Sequence, residues 1–107
     1  MSSLELKPNP TLKDLQEYVA HMIEVRGFGE ETLPEVFMLF MEECGEFAKA
    51  IRKHSGMKTD DTSEKFKLSS EAADILTLFL DLCTMLNIDL EQAFREKEEI
   101  NKTRTWN

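Results

Sequence analysis

The chain has 107 residues, a length that fits one compact domain burying roughly 60 to 70% of the surface its unfolded form exposes. Hydrophobic residues make up 41% of it, against four Gly and three Pro, which excludes a disordered chain and favours helices. A formal net charge of -8 with no basic arm opposes binding to nucleic acid or to anionic membranes.

The opening MSSLELKPNPTL has no basic region followed by an apolar run, so it predicts no secretory leader. The longest apolar run, Val36 to Met41, has six residues, too short to span a bilayer. Cys44 and Cys83 fall in apolar helical patterns without a second Cys or His at ligand spacing, which suits buried free thiols in a reducing cytoplasm. The expected location is therefore cytoplasmic.

No stretch alternates apolar and polar residues long enough to predict a strand, and the expected class is all-α, a single-domain bundle of about four helices over residues 1–107. The first helix should start near Thr11, whose spacing to Asp14 resembles a capping box, and stop at Gly27 or Gly29. Leu12, Leu15, Val19, Met22 and Ile23 form its apolar stripe. A second helix is predicted from Leu33 or Pro34 to His54, with a stripe of Leu33, Phe37, Phe40, Cys44, Phe47 and Ile51. The run VFMLFM makes its first half apolar on nearly every side, more surface than one small bundle covers, so a homodimer or a dimer of dimers is expected.

The polar segment from Ser55 to Lys67 reads as a loop, followed by a third helix from Ser69 or Ser70 to Leu86. A fourth opens at Asp89, spaced to Gln92 like a capping box, and runs to about Ile100 before a short polar tail.

The third helix carries the anomaly. At about 100° per residue, Ile75, Leu78, Leu82 and Met85 share an arc of about 80°, with Glu71 at its middle and Asp74 at its edge. Two carboxylates on a core face cost several kcal/mol unless a cation accompanies them. On the second helix Glu43 borders the apolar stripe and Glu46 continues the same side, while Glu42 points further away. Antiparallel packing would bring the two acidic pairs face to face as a metal site. Oxygen ligands without His or Cys favour Mg²⁺, with Mn²⁺ as a substitute, over Zn²⁺. Lys53, two turns beyond Glu46 on the same face, is placed to reach a phosphate.

The segments EECGEFAKAIRK and EAAD, with 24 residues between Glu46 and Glu71, resemble the EExxE and ExxD signature of the all-α, MazG-like nucleoside triphosphate pyrophosphohydrolases. The ending IDLEQAFREKEEINKTRTW is similar to the closing helix of that family. The resemblance covers about Leu33 to Trp106 and implies Mg²⁺-dependent cleavage of a nucleoside triphosphate between the α and β phosphates. It implies metal ligands at Glu43, Glu46, Glu71 and Asp74, and substrate contacts at Lys97, Asn101 and Arg104 beside Lys53. Glu46 and Glu42 are the candidates for the catalytic base.

Phe28 and Trp106 are candidates to stack on a base, whereas His21 and His54 stand alone. Two other readings remain. One is a phosphoribosyl-ATP or dUTPase-like pyrophosphohydrolase, and the other is a non-catalytic helical module that binds metal or a partner.

Overall fold

A computed structural model describes residues 4–56 and 65–105, and among them are four helices and no strand: α1 (Leu12–Val25), α2 (Leu33–His54), α3 (Lys65–Met85) and α4 (Leu90–Lys102). Each boundary has a local cause. Thr11 and Asp14 form a reciprocal capping box at the start of α1, and Thr32 and Glu35 form another at the start of α2, ahead of Pro34. Gly27, at φ 78°, ends α1 in a left-handed turn in which the N–H of Phe28 donates to the carbonyl of Ile23 at 2.9 Å. Asn87 does the same after α3 at φ 59°, and the N–H of Ile88 donates to the carbonyl of Cys83 at 2.8 Å. Asp89 caps α4 by accepting from the N–H of Gln92.

The third helix starts earlier than the sequence predicts. Ser69 and Ser70 look like caps, but Lys65 to Leu68 precede them in helical conformation, because Lys and Leu are good helix formers and extend the turn. Residues 57–64 of the expected loop, and Trp106, lie outside the described residues.

The α2 helix packs along α3, α1 packs against α3, and α4 packs on α1. Val19 and Met22 of α1 close over Leu80 of α3, which is 1% exposed, with Leu12, Leu15 and Ile23 around them as the α1 stripe predicts. On α2 the predicted stripe is displaced. Val36 and Ala50 are the buried residues, with Phe40, Glu43 and Phe47 half-buried between them, while Leu33, Phe37 and Ile51 are exposed. An apolar run that wraps the helix permits either orientation, and packing on α3 selects the Val36 face. Met85, expected on the α3 core face, is likewise exposed.

Asp81 lies within the apolar stretch TLFLDLCTML and is only 8% exposed. Burial, aided by the charge of Glu31, pushes its carboxyl above the usual range. Among the described residues no helix is long and apolar enough to cross a membrane.

Gln16 ties α1 to the corner between α3 and α4. Its amide nitrogen donates to Ile88 O at 2.7 Å and to Thr84 Oγ1 at 3.2 Å, and its amide oxygen accepts from the N–H of Leu90 at 3.1 Å. Gln16→Ala removes these three hydrogen bonds, two of them part-buried, and should lower the unfolding free energy by about 1 to 3 kcal/mol. Urea unfolding at one fixed protein concentration measures this, and an unchanged midpoint would contradict the role assigned to Gln16.

Candidate metal centre

Antiparallel packing of α2 on α3 sets Glu43 opposite Glu71 and Asp74, and one carboxylate oxygen from each lies within 4.8 Å of the others. Glu43 and Glu71 are half-buried and Asp74 is exposed, so the group sits at the edge of the helix seam and opens to solvent. The positions arise from helical spacing: Glu71 and Asp74 are one turn apart on α3, and Glu43 continues the Val36–Phe40–Phe47 face of α2.

The three charges are mutually unfavourable. A hydrogen bond between the Glu43 and Glu71 carboxyls, with desolvation and the charges of Glu71, Asp74 and Glu46, pushes Glu43 up to about 7. Glu71 Oε2 is enclosed and has no hydrogen-bond partner among the described residues. A proton shared between Glu43 and Glu71 and an orphaned carboxylate oxygen beside them fit a divalent cation, which would satisfy both. The donor set is all oxygen, the chemistry of Mg²⁺ or Mn²⁺.

The other sequence-predicted residues are placed unevenly. Glu46 is exposed and lies outside the close group, though its charge reaches Glu43. Glu42 is exposed on the same helix. Lys53 is half-buried, and its Nζ is enclosed without a hydrogen-bond partner among the described residues, as is Asn101 Oδ1. Lys97, Asn101 and Arg104 belong to α4 or follow it, and α4 docks on α1 rather than on the α2–α3 pair that carries the carboxylates. Phe28 is exposed in the α1–α2 connection. Cys44 is half-buried and Cys83 buried, both as free thiols, and burial pushes the Cys83 thiol up. The buried Asp81 shows in the sequence only as a single acid within an apolar run.

The Glu43 carboxyl gives the metal-free protein a definite pH dependence. With its folded-state value near 7 and its ordinary value at 4.5, the folded protein holds a proton that the unfolded chain has released. Stability should therefore fall as pH rises from about 4.5 to 7. The buried Asp81 acts in the same sense, while Asp14 and Glu35, held low by the backbone N–H groups of Thr11 and Thr32, titrate below this window. Thermal melts with chelator should show a higher midpoint at pH 5.5 than at pH 8, Glu43→Gln should flatten the difference, and Mg²⁺ should raise the midpoint most at pH 8. A metal-free midpoint that climbs with pH would contradict the account.

Residues 31–105 match the model of the MazG nucleotide pyrophosphohydrolase domain, and this stretch includes α2, α3, α4 and the carboxylates of Glu42, Glu43, Glu46, Glu71 and Asp74. The chain is also 36% identical over 66 residues to a protein of Cyanophage S-2L named dATP/dGTP diphosphohydrolase. That match takes in 62% of this chain and 50% of the phage protein, so the chain matches half the length of that relative. With the family model covering well over half of its residues and the carboxylates of the acidic motifs meeting across α2 and α3, the chain belongs to the MazG nucleotide pyrophosphohydrolase family.

Proposed function

We propose that this chain is a Mg²⁺-dependent pyrophosphohydrolase that cleaves a (d)NTP between the α and β phosphates, giving (d)NMP and pyrophosphate. The observation that carries this reading is the close group of Glu43, Glu71 and Asp74 in a chain of the MazG family. The name of the phage relative makes dATP and dGTP the first substrates to test. Removal of unwanted nucleotides from a cytoplasmic pool is the role this chemistry fits, carried out by residues 1–107 as one domain in a homodimer or homotetramer.

Glu43, Glu71 and Asp74 would hold the ion, and Glu46, whose charge reaches Glu43 from outside the close group, is the candidate to act on a water beside them. When bound, Mg²⁺, or Mn²⁺ in its place, supplies charge neutralisation at the phosphates and lowers the pKa of a coordinated water. Hydrolysis adds the oxygen of one water to phosphorus as the α–β anhydride bond breaks, and pyrophosphate leaves with the bridging oxygen. The proton of that water goes to a carboxylate, for which the exposed Glu46 is the first candidate and Glu42 the second. The enclosed ammonium of Lys53 is suited to pair with a phosphate oxygen, and Lys97, Asn101 and Arg104 are the further substrate contacts in this reading.

A panel of canonical and modified NTPs and dNTPs, assayed for monophosphate and pyrophosphate with Mg²⁺ and with chelator, tests the proposal. Metal-dependent pyrophosphate release from at least one of them is expected. Glu71→Gln should lower kcat by roughly 10² to 10³-fold, and Glu46→Gln by a comparable factor. Near-normal turnover in Glu46→Gln moves the base role to Glu42. Turnover confined to phosphoribosyl-ATP or dUTP narrows the enzyme class, and no product from any nucleotide leaves a non-catalytic metal-binding module.

A further inference from the structure

The connection between α1 and α2 takes a long way round. Gln16 bonds to Thr84 while Val19 and Met22 pack on Leu80, so α1 runs antiparallel to α3. Phe40 meets Phe79 while Glu43 meets Glu71, so α2 runs antiparallel to α3 as well. The first two helices are therefore parallel to each other. Val25, at the end of α1, stands level with the middle of α3, and Leu33 stands level with its C-terminal end. The seven residues from Arg26 to Thr32 must travel back about 15 Å along α3, within the roughly 23 Å that an extended strap of that length spans.

Burial shows which flank of α3 the strap takes. On the helical wheel Asp81 lies within about 20° of Asp74, about 10.5 Å further along, while Phe79 lies about 160° away from Asp81. The Phe79 flank is open, with Phe79 39% exposed and Leu76 41%. Asp81 is 8% exposed, and the charge that acts on it is that of Glu31, in the strap. The strap therefore crosses the flank that carries Asp74 and Asp81, and it covers Asp81.

This cover is held by its ends. Among the described residues, the strap N–H groups donate to the carbonyls of Met22, Ile23 and Glu24 on α1, to Phe28 O within the strap and to the Glu35 carboxylate of α2, and none bonds to α3. Asp81 has no hydrogen-bond partner among the described residues either. No cation offsets its charge. Arg26 turns its guanidinium to Met22 Sδ, Glu24 points away from α3 on the α1 wheel, Glu35 holds the N–H of Thr32, and Asp74 lies two turns off on the same helix. A protonated Asp81 fits beneath the strap, whereas an ionised one beside Glu31 is opposed by desolvation and by like charge. Opening exposes the carboxyl to water, where it gives up its proton more readily.

We infer that the strap from Arg26 to Thr32 is a proton-held lid, closed on α3 while Asp81 carries a proton and loosened when Asp81 ionises. Its opening bares the α3 flank on which Asp74 lies and moves the exposed Phe28 with it. Neither nucleotide nor metal is needed for this movement.

Amide hydrogen exchange followed by nuclear magnetic resonance tests it, on the full chain with chelator, from about pH 4 to about pH 8, with each rate divided by its intrinsic value. The N–H of Phe28, bonded to Ile23 O, should exchange by local opening and more readily than the N–H of the buried Leu80. Asp81→Asn keeps the size of the side chain and removes its titration. Relative to that variant, the opening read at Phe28 in the unaltered protein should grow at least about threefold as pH rises across the range. The Glu43 titration is common to both proteins and cancels in the comparison. Glu31→Gln, which removes the like charge, should shrink the rise. The same pH response in Asp81→Asn, or equal protection of Phe28 and Leu80, would overturn the lid. An undiminished rise in Glu31→Gln would overturn the opposition of the two carboxylates on which it rests.

Discussion

Three carboxylates meet at the seam of α2 and α3, and the state of that seam depends on what neutralises them. Glu43 and Glu71 are drawn partly out of water by the same packing that buries Val36 and Ala50, so their charges are neither freely solvated nor paired with a protein cation in the close group. In the metal-free protein a proton serves, which is why Glu43 is pushed up to about 7. A divalent ion held by the same oxygens would compete for them and release that proton, which would link metal affinity, stability and pH through one helix pair.

The rest of the chain supports that pair. The α1 helix closes its outer side through Val19 and Met22 on Leu80, and Gln16 fixes the turn from which α4 departs. The α2–α3 pair then presents acid on one flank and unbroken apolar surface on the other. The carboxylates and the apolar groove thus share two helices without sharing a side chain.

Much of this is legible in the sequence because it rests on local signals. Thr11 with Asp14, Asp89 with Gln92, and Gly27 mark helix ends by hydrogen bonds within a few residues, and the structure places ends at or beside them. Glu71 on the α3 face toward α2 is legible from periodicity alone, and so is its meeting with Glu43 once the helices are antiparallel. The α2 stripe was not legible. VFMLFM offers apolar residues in most directions, and only the partner helix selects Val36 over Phe37. A spacing of three predicts Glu46 on the side of Glu43, but that rotation carries it to an exposed position outside the close group. The residues of the closing helix came from family resemblance, and no periodicity relates α4 to a site on helices it does not closely pack against.

The most direct test of the account is the affinity of the protein for Mn²⁺, measured by electron paramagnetic resonance at pH 7.5 without nucleotide. The unaltered protein should bind the ion. Glu71→Gln and Glu43→Gln should each weaken binding at least about tenfold, as expected when a ligand is lost, while Glu99→Gln, an exposed α4 residue paired with Lys102, should not change it. Equal affinity in all four proteins, or no binding by the unaltered one, would contradict the assignment of Glu43, Glu71 and Asp74 as a metal centre.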